Sequence, residues 1–170
     1  MATTTLDTQL DIGLTDEERQ GVVDILQSVL ADANLLYVKL RNYHWNVTGP
    51  QFRSLHELFE EQYETLAEAT DSIAERIRTY GAPAIGSLQE FHERARLNET
   101  PGDHPTARQM VMNLVNDHEA VIRTLRKDID TVGETYNDLA GQDFLIELLQ
   151  EHQDMAWMLR TFVEGPPVHD

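Results

Sequence analysis

Two pairs of metal-ligand residue types lie on one stretch of sequence with helical spacing. His56 and Glu60 are four residues apart, and so are Asp71 and Glu75. Side chains four apart on an α-helix are neighbours on its surface, and such a pair can hold one ion. At about 100° per residue all four side chains fall within one arc, away from the apolar side of the helix. Each pair therefore supplies half of a metal site.

The separation of the two pairs predicts that one chain cannot complete the site. Glu60 and Asp71 are about 16 Å apart along the helix axis, whereas ligands of one metal centre lie within a few ångströms of each other. A second copy of the helix, antiparallel across a twofold axis, would bring the first pair of one subunit to the second pair of the other. His44, at the end of the preceding helix, adds an imidazole beside His56. These two imidazoles and three carboxylates form a hard ligand set suited to Fe²⁺, Mn²⁺ or Zn²⁺.

Other interpretations of these residues are open. A single histidine or a pair of acids on a helix is most often structural or solvated, and many helical bundles bind nothing and only assemble. Glu57, Glu61 and Glu64 widen the stripe into an acidic surface, which is typical of a solvated helix face. The Glu-x-x-His motif of di-iron bundles and the His-Glu-x-x-His motif of zincins are absent from the sequence. A di-iron centre inside one bundle is therefore disfavoured.

Four long amphipathic segments are available to position these residues. Between clusters of glycine and proline, apolar residues recur at helical rather than alternating spacing. Thr15 and Glu18 form a capping box at the first start, and Pro105 suits a first helical turn. We predict long helices over residues 15–46, 52–80, 105–133 and 143–164, and a short helix over residues 88–95.

This order of elements predicts an all-α fold. Short connections make sequential helices antiparallel neighbours, and the long connection between the second and third helices can cross the molecule. The fold class is a four-helix bundle with a long crossover that carries a short extra helix. We expect the bundle over residues 15–164, an N-terminal tail over residues 1–14 and a C-terminal tail over residues 165–170.

Composition restricts the function classes. The 170 residues include 30 acidic and 13 basic side chains, so the net charge of −17 repels nucleic-acid backbones and attracts cations. The absence of cysteine excludes thiol catalysis and thiolate metal sites. No apolar run approaches a membrane span and no signal peptide is evident, which predicts a cytoplasmic protein without a membrane partner.

A longer pattern around the candidate ligands resembles the Dps family, the mini-ferritins of the ferritin-like superfamily. It comprises Asn42-Tyr43-His44-Trp45-Asn46-Val47 with Gly49, then Phe52, Leu55-His56-Glu57 and Glu60, then Asp71-Ser72-Ile73-Ala74-Glu75-Arg76-Ile77. The similarity covers residues 15–162, including Trp157 on the last helix. One difference stands out: many family members have Asp where this chain has Glu60, which adds a methylene to that side chain.

The resemblance implies a hollow homododecamer with ferroxidase centres at twofold interfaces. His44, His56 and Glu60 would come from one subunit, and Asp71 and Glu75 from the other. The implied activity is oxidation of Fe²⁺ to Fe³⁺ by hydrogen peroxide or O₂, followed by storage of ferric oxide and protection from oxidative damage. A different class is left open: a non-enzymatic assembly that binds Zn²⁺ or Mn²⁺ at the same residues, or a DNA-coating stress protein.

Several further residues receive secondary roles from the resemblance. Trp45 would quench radicals or anchor a dimer interface. An acidic pore for iron would use Asp138, Asp143 and Glu147, although acids at a helix start also favour the helix dipole, and Glu57, Glu61 and Glu64 would nucleate mineral. Some family members coat DNA through lysine-rich tails, but the tails here are acidic, so we expect no direct DNA binding. No defensible ligand partner is found for the remaining histidines: His92, His104, His118, His152 and His169.

Overall fold

Five α-helices form the regular structure of the computed structural model, which describes residues 6–164 except Thr8; no strand occurs in that range. The helices are α1 (Asp16–Asn46), α2 (Phe52–Thr79), α3 (Leu88–Arg94), α4 (Ala107–Glu134) and α5 (Leu139–Arg160). α1 packs along α2 and α4 along α5, while the short α3 lies against α1. The predicted all-α four-helix bundle with a helix-bearing crossover is confirmed.

The start of α1 follows its local sequence, but the predicted start of α4 is shifted. The Thr15 side chain accepts a hydrogen bond from the Glu18 N–H, and the Glu18 carboxylate accepts one from the Thr15 N–H. The capping box therefore forms as expected. α4 begins after the cap residue Thr106, whose hydroxyl accepts from the Gln109 N–H. Pro105 therefore lies before the cap and not in the first turn. Thr106 is the cap because its side chain accepts a hydrogen bond from an N–H group of the first turn that has no partner within the helix.

The predicted bounds of the last helix, residues 143–164, are wrong at both ends. α5 starts at Leu139, with Asp138 as its cap, and ends at Arg160. Gly141 lies in the first turn, where glycine lowers helix propensity. A Cβ at Gly141 would lie 2.8 Å from the Tyr80 hydroxyl. Close packing at this junction therefore explains the glycine, which does not mark a helix boundary.

The interior consists of two apolar clusters along the bundle. One lies where the N-terminal halves of α1 and α5 meet the C-terminal halves of α2 and α4, and contains Leu26, Ile77, Leu125 and Leu145. The other lies around the α1–α2 connection and contains Leu40, Phe59, Leu114 and Leu159. A fully buried leucine contributes about 1.5–3 kcal/mol, so the second cluster fixes the end of α1 against the start of α2. The candidate ligands lie beside this cluster.

The crossover between α2 and α4 is bound to both halves of the bundle. Arg96 donates through Nε to Asp32 on α1 at 2.7 Å and through a terminal nitrogen to Asp128 on α4 at 2.7 Å. Asp32 is 2% exposed and also accepts from the Arg96 backbone N–H at 2.6 Å. An unpaired buried carboxylate would be costly, so this ion pair holds the crossover in one place.

α1 meets the length and composition criteria of a membrane span, contrary to the sequence-based expectation that no apolar run would do so. Its most apolar window has a mean hydropathy of 1.3, and 61% of that window is buried within the bundle. The position of α1 in a folded core accounts for this hydropathy.

The start of the described chain lies against the bundle. The Asp7 N–H donates to the Gly81 carbonyl at 2.9 Å, and Arg19 on α1 donates to the Asp7 carbonyl at 2.9 Å. Part of the expected N-terminal tail is therefore packed on the helices. The expected C-terminal tail, residues 165–170, lies outside the described residues.

Candidate metal centre

His44 and His56 face each other where α1 ends and α2 begins. The Nδ1 atom of His44 lies 2.8 Å from the carbonyl oxygen of His56, and the Nδ1 atom of His56 lies 2.8 Å from the carbonyl oxygen of His44. Their rings stack with centroids 3.7 Å apart and planes 19° from parallel. The short connection that permits this contact includes Gly49 with φ = 108°, a backbone conformation that glycine adopts without strain.

These reciprocal contacts assign the tautomer of both imidazoles. A carbonyl oxygen only accepts hydrogen bonds, so each Nδ1 must carry the proton and donate. Each Nε2 then holds a free lone pair in the neutral ring, which is the state in which imidazole binds a metal. A backbone carbonyl bonded to the second ring nitrogen also fixes the orientation of the ring. Both histidines are thus prepared as Nε2 ligands by the fold of a single chain.

Glu60 completes a group of three ligand atoms. One atom from each of His44, His56 and Glu60 lies within 4.8 Å of the other two. His44 is buried, and His56 and Glu60 are partly exposed, so the group opens toward the surface. Two imidazole nitrogens and a carboxylate oxygen fit Fe²⁺, Mn²⁺ and Zn²⁺. The donor set is incomplete within the chain and leaves room for further ligands.

Asp71 and Glu75 are not brought to this group by their own chain. Both are exposed on α2, beyond the metal-ligand cluster that the structure forms. The straight path of α2 from Phe52 to Thr79 keeps them more than two turns away from Glu60. They lie on the accessible surface of the helix, where a second molecule can approach.

The acidic residues with secondary roles have different environments. Glu57, Glu61 and Glu64 are exposed on α2, and Asp143 and Glu147 are exposed on α5. Asp138 is 7% exposed and caps α5 by accepting from the Gly141 N–H at 3.0 Å. Its carboxylate also accepts from the Tyr80 hydroxyl. The Asp138 carboxylate is therefore buried and engaged in capping, and the role of Asp138 in a pore stays a prediction.

The comparisons with known proteins agree with the fold and identify the family. Residues 23–165 match the ferritin-like domain family. A low-temperature-induced protein of Nostoc is 54% identical over 160 residues, which cover 94% of this chain and 89% of the relative. The DNA protection during starvation protein 2 of Bacillus anthracis is 36% identical over 142 residues, which cover 84% of this chain and 96% of the relative. The chain belongs to the Dps family of ferritin-like proteins.

Two solved Dps structures extend this agreement to three dimensions. DpsC of Streptomyces coelicolor is 25% identical and superposes with a TM-score of 0.91, covering 97% of this chain and 96% of that chain. The Dps protein of Vibrio cholerae is 27% identical, with a TM-score of 0.83 and coverage of 96% and 99%; it is described as a member of a broad superfamily of ferritin-like diiron-carboxylate proteins.

An aromatic rim around the ligands of this Dps chain was missed from the sequence. The Tyr63 hydroxyl donates to Oε1 of Glu60 at 3.2 Å, and its ring meets the His44 ring edge-on with centroids 5.4 Å apart. Phe52 stacks on His56 at 5.1 Å. Burial raises the pKa of Tyr63 and the hydrogen bond to Glu60 raises it further, so the phenol stays a donor at neutral pH. The signal was its position three residues after Glu60, on the same helix face.

A second histidine pair in this Dps chain was not visible from the sequence. His118 on α4 and His152 on α5 form a hydrogen bond with each other, with their Nδ1 atoms 2.9 Å apart in the core. They are 0% and 4% exposed. Burial lowers the pKa of His152 to about 4. Burial also lowers the pKa of His118 well below its usual range, and repulsion from a protonated His152 lowers it further. Both rings are therefore neutral at physiological pH.

Proposed function

We propose that this Dps protein oxidises Fe²⁺ at the group formed by His44, His56 and Glu60 and stores the ferric product. The observation that carries this proposal is the reciprocal bonding of the two histidines, which leaves both Nε2 atoms free beside a carboxylate. Imidazole and carboxylate ligands bind Fe²⁺, and carboxylates favour the harder Fe³⁺. The ligand set should therefore stabilise Fe³⁺ more than Fe²⁺.

The oxidation balances when two ferrous ions share one peroxide. Each Fe²⁺ gives one electron, and H₂O₂ with two protons becomes two molecules of water. This two-electron reduction avoids the hydroxyl radical that a single ferrous ion would release. The protein contributes the positions of its ligands. O₂ is the alternative oxidant. The family membership and the donor set support this proposal.

Stopped-flow oxidation of Fe²⁺ with H₂O₂ tests the activity. Wild-type protein should produce rapid ferric absorbance, and His44→Ala/His56→Ala should lose the fast phase. The matched control is His104→Ala, which removes an exposed histidine of the crossover and should keep wild-type kinetics. Fast oxidation by the double variant would overturn the assignment, and tight Zn²⁺ or Mn²⁺ binding without iron oxidation would favour the non-enzymatic alternative.

We further propose that Asp71 and Glu75 of a second subunit complete the centre across a twofold axis. Their exposure on α2 and their distance from Glu60 along the helix support this arrangement. The assembly is proposed to be a homododecamer, with iron passing a pore beside Asp143 and Glu147 and mineral forming next to Glu57, Glu61 and Glu64. Direct DNA binding is not expected, because the chain carries a net charge of −17.

Complementation between inactive subunits tests the shared site. His56→Ala and Asp71→Ala proteins should each be inactive alone. When a His56→Ala subunit pairs with an Asp71→Ala subunit, the twofold interface contains two sites. One site receives both intact residues, and the other receives both substitutions. Equal mixtures that are dissociated and reassembled at random should therefore recover about a quarter of the wild-type sites. An inactive mixture, with assembly confirmed by light scattering, would contradict the shared site, and so would an active Asp71→Ala protein.

A further inference from the structure

Tyr63 contacts a proposed ligand and is itself held firmly by α1. Its hydroxyl donates to Oε1 of Glu60 at 3.2 Å. Its ring meets His44 edge-on at 85° and Tyr37 edge-on at 84°, with centroids 5.4 Å and 6.1 Å apart. The Arg41 guanidinium lies 5.8 Å from the centre of the Tyr63 ring. The phenol is therefore a fixed donor beside a flexible acceptor.

Glu60 needs such a donor because of its length. Glutamate has three rotatable side-chain bonds, and a partly exposed glutamate loses more rotamer freedom on binding a metal than a shorter acid would. A hydrogen bond from a fixed group reduces that loss before the metal arrives. A tyrosine hydroxyl is well suited, since it leaves the negative charge of the carboxylate in place.

We propose that Tyr63 is a positioning residue of the metal centre, whose hydroxyl holds the Glu60 carboxylate within reach of the two imidazole Nε2 atoms. Tyr63 and Glu60 then act as a matched pair, in which the longer acid depends on the phenol. This inference rests on the proposed function of the centre, and it adds a residue and a reason why glutamate functions at this position. The phenol does not touch the metal or the oxidant.

Metal binding without oxidation measures this role directly. Tyr63→Phe removes the hydroxyl and keeps the ring, so the affinity for Co²⁺, measured by calorimetry on the assembled protein, should fall about 10- to 100-fold. The matched control is Tyr37→Phe, because Tyr37 packs on Tyr63 and its hydroxyl accepts from Arg41 at 3.0 Å. This control should bind Co²⁺ as wild type does. In iron oxidation Tyr63→Phe should raise KM more than it lowers kcat.

A double-mutant cycle separates positioning from general support of the fold. In a Glu60→Asp background the carboxylate is one methylene shorter and withdraws from the phenol. Adding Tyr63→Phe to Glu60→Asp should then change Co²⁺ affinity less than about twofold. A structural role would instead give the same loss in both backgrounds, accompanied by a lower melting temperature.

The outcomes distinguish this inference from the proposed function. If wild-type protein neither binds Co²⁺ nor oxidises iron, the proposed function fails. If wild type does both and Tyr63→Phe binds Co²⁺ with unchanged affinity, Tyr63 has no positioning role and the metal centre stands. Equal losses in the wild-type and Glu60→Asp backgrounds would also overturn the matched pair.

Discussion

The pair His44 and His56 and the pair His118 and His152 each join two neighbouring helices, but they use their nitrogens differently. In the first pair each Nδ1 donates to a backbone carbonyl, so both Nε2 atoms are left for another partner. In the second pair the two Nδ1 atoms bond to each other at 2.9 Å. One of these Nδ1 atoms must donate and the other accept, which requires two different tautomers.

The surroundings enlarge this difference. Glu60 lies beside the first pair, and His56 reaches the surface. The second pair has no third ligand in the described part of the chain and lies between the two apolar clusters. The Nε2 atom of His118 is buried without a hydrogen-bond partner. Two histidines in contact therefore do not make a metal site. Such a site also needs free lone pairs on both rings, a nearby carboxylate and a path by which the metal can reach them.

The largest expected effect concerns acid stability and the buried pair. The pKa of His152 is about 4 in the folded chain and 6.5 when unperturbed. Above pH 6.5 neither state binds the proton. As the pH falls from 6.5 to 4, the unfolded chain binds protons that the folded chain does not, so the free energy of unfolding falls. The loss is about 1.4 kcal/mol per pH unit, or about 3 kcal/mol for His152 at pH 4.

Denaturant unfolding followed by circular dichroism, at one subunit concentration, measures this loss. The variant His118→Leu/His152→Leu should lose less stability between pH 6.5 and 4.5 than wild type does. Identical pH slopes in the two proteins would show that the buried pair does not titrate as its environment predicts.

The second effect concerns metal and the open pair. Zn²⁺ at about 100 times its dissociation constant should stabilise the folded protein by about 2.7 kcal/mol, which a thermal shift detects. His56→Ala should abolish the shift, and His152→Leu should retain it although its starting stability differs. A shift lost in His152→Leu and kept in His56→Ala would reverse the comparison between the two pairs.

The smallest effect concerns the ring that covers His56. Phe52 stacks on His56 with planes 30° apart and is 45% exposed. Aromatic contacts of this kind contribute about 0.5–1.5 kcal/mol, so Phe52→Ala should weaken Zn²⁺ binding about two- to tenfold. Met112→Ala, at a similarly exposed apolar residue of α4, should leave calorimetric affinity unchanged. A loss as large as that of His56→Ala would mean that Phe52 does more than orient the ring.

Much of the fold followed from local sequence rules. The capping box of Thr15 and Glu18 and the apolar periodicity identified α1, and the crossover with its short helix was confirmed. The start of α5 was missed because Gly141 and Asp138 have meaning only in three dimensions. The absence of a side chain at Gly141 leaves room for the Tyr80 hydroxyl. The Asp138 carboxylate accepts hydrogen bonds from that hydroxyl and from the Gly141 N–H in the first turn.

The site was predictable to the extent that it lies on one helix and one turn. Spacing placed Glu60 beside His56, and the structure brings His44 to them. The tautomers were not predictable, because they depend on which carbonyls face the rings after α1 and α2 pack. His118 and His152 are 34 residues apart on different helices, so no spacing rule links them. Tyr63 was within reach of the same spacing rule that found Glu60.

The indole of Trp45 has a practical consequence. It follows His44 directly, is 63% exposed, and lies 4.9 Å beneath the Arg41 guanidinium. In a dispersed subunit this ring emits from an aqueous environment, and burial by a second subunit would shift its fluorescence to shorter wavelength. With Trp157 replaced by Phe, the chain carries a single native reporter next to the proposed centre, and association can be followed optically at the place where it matters for iron.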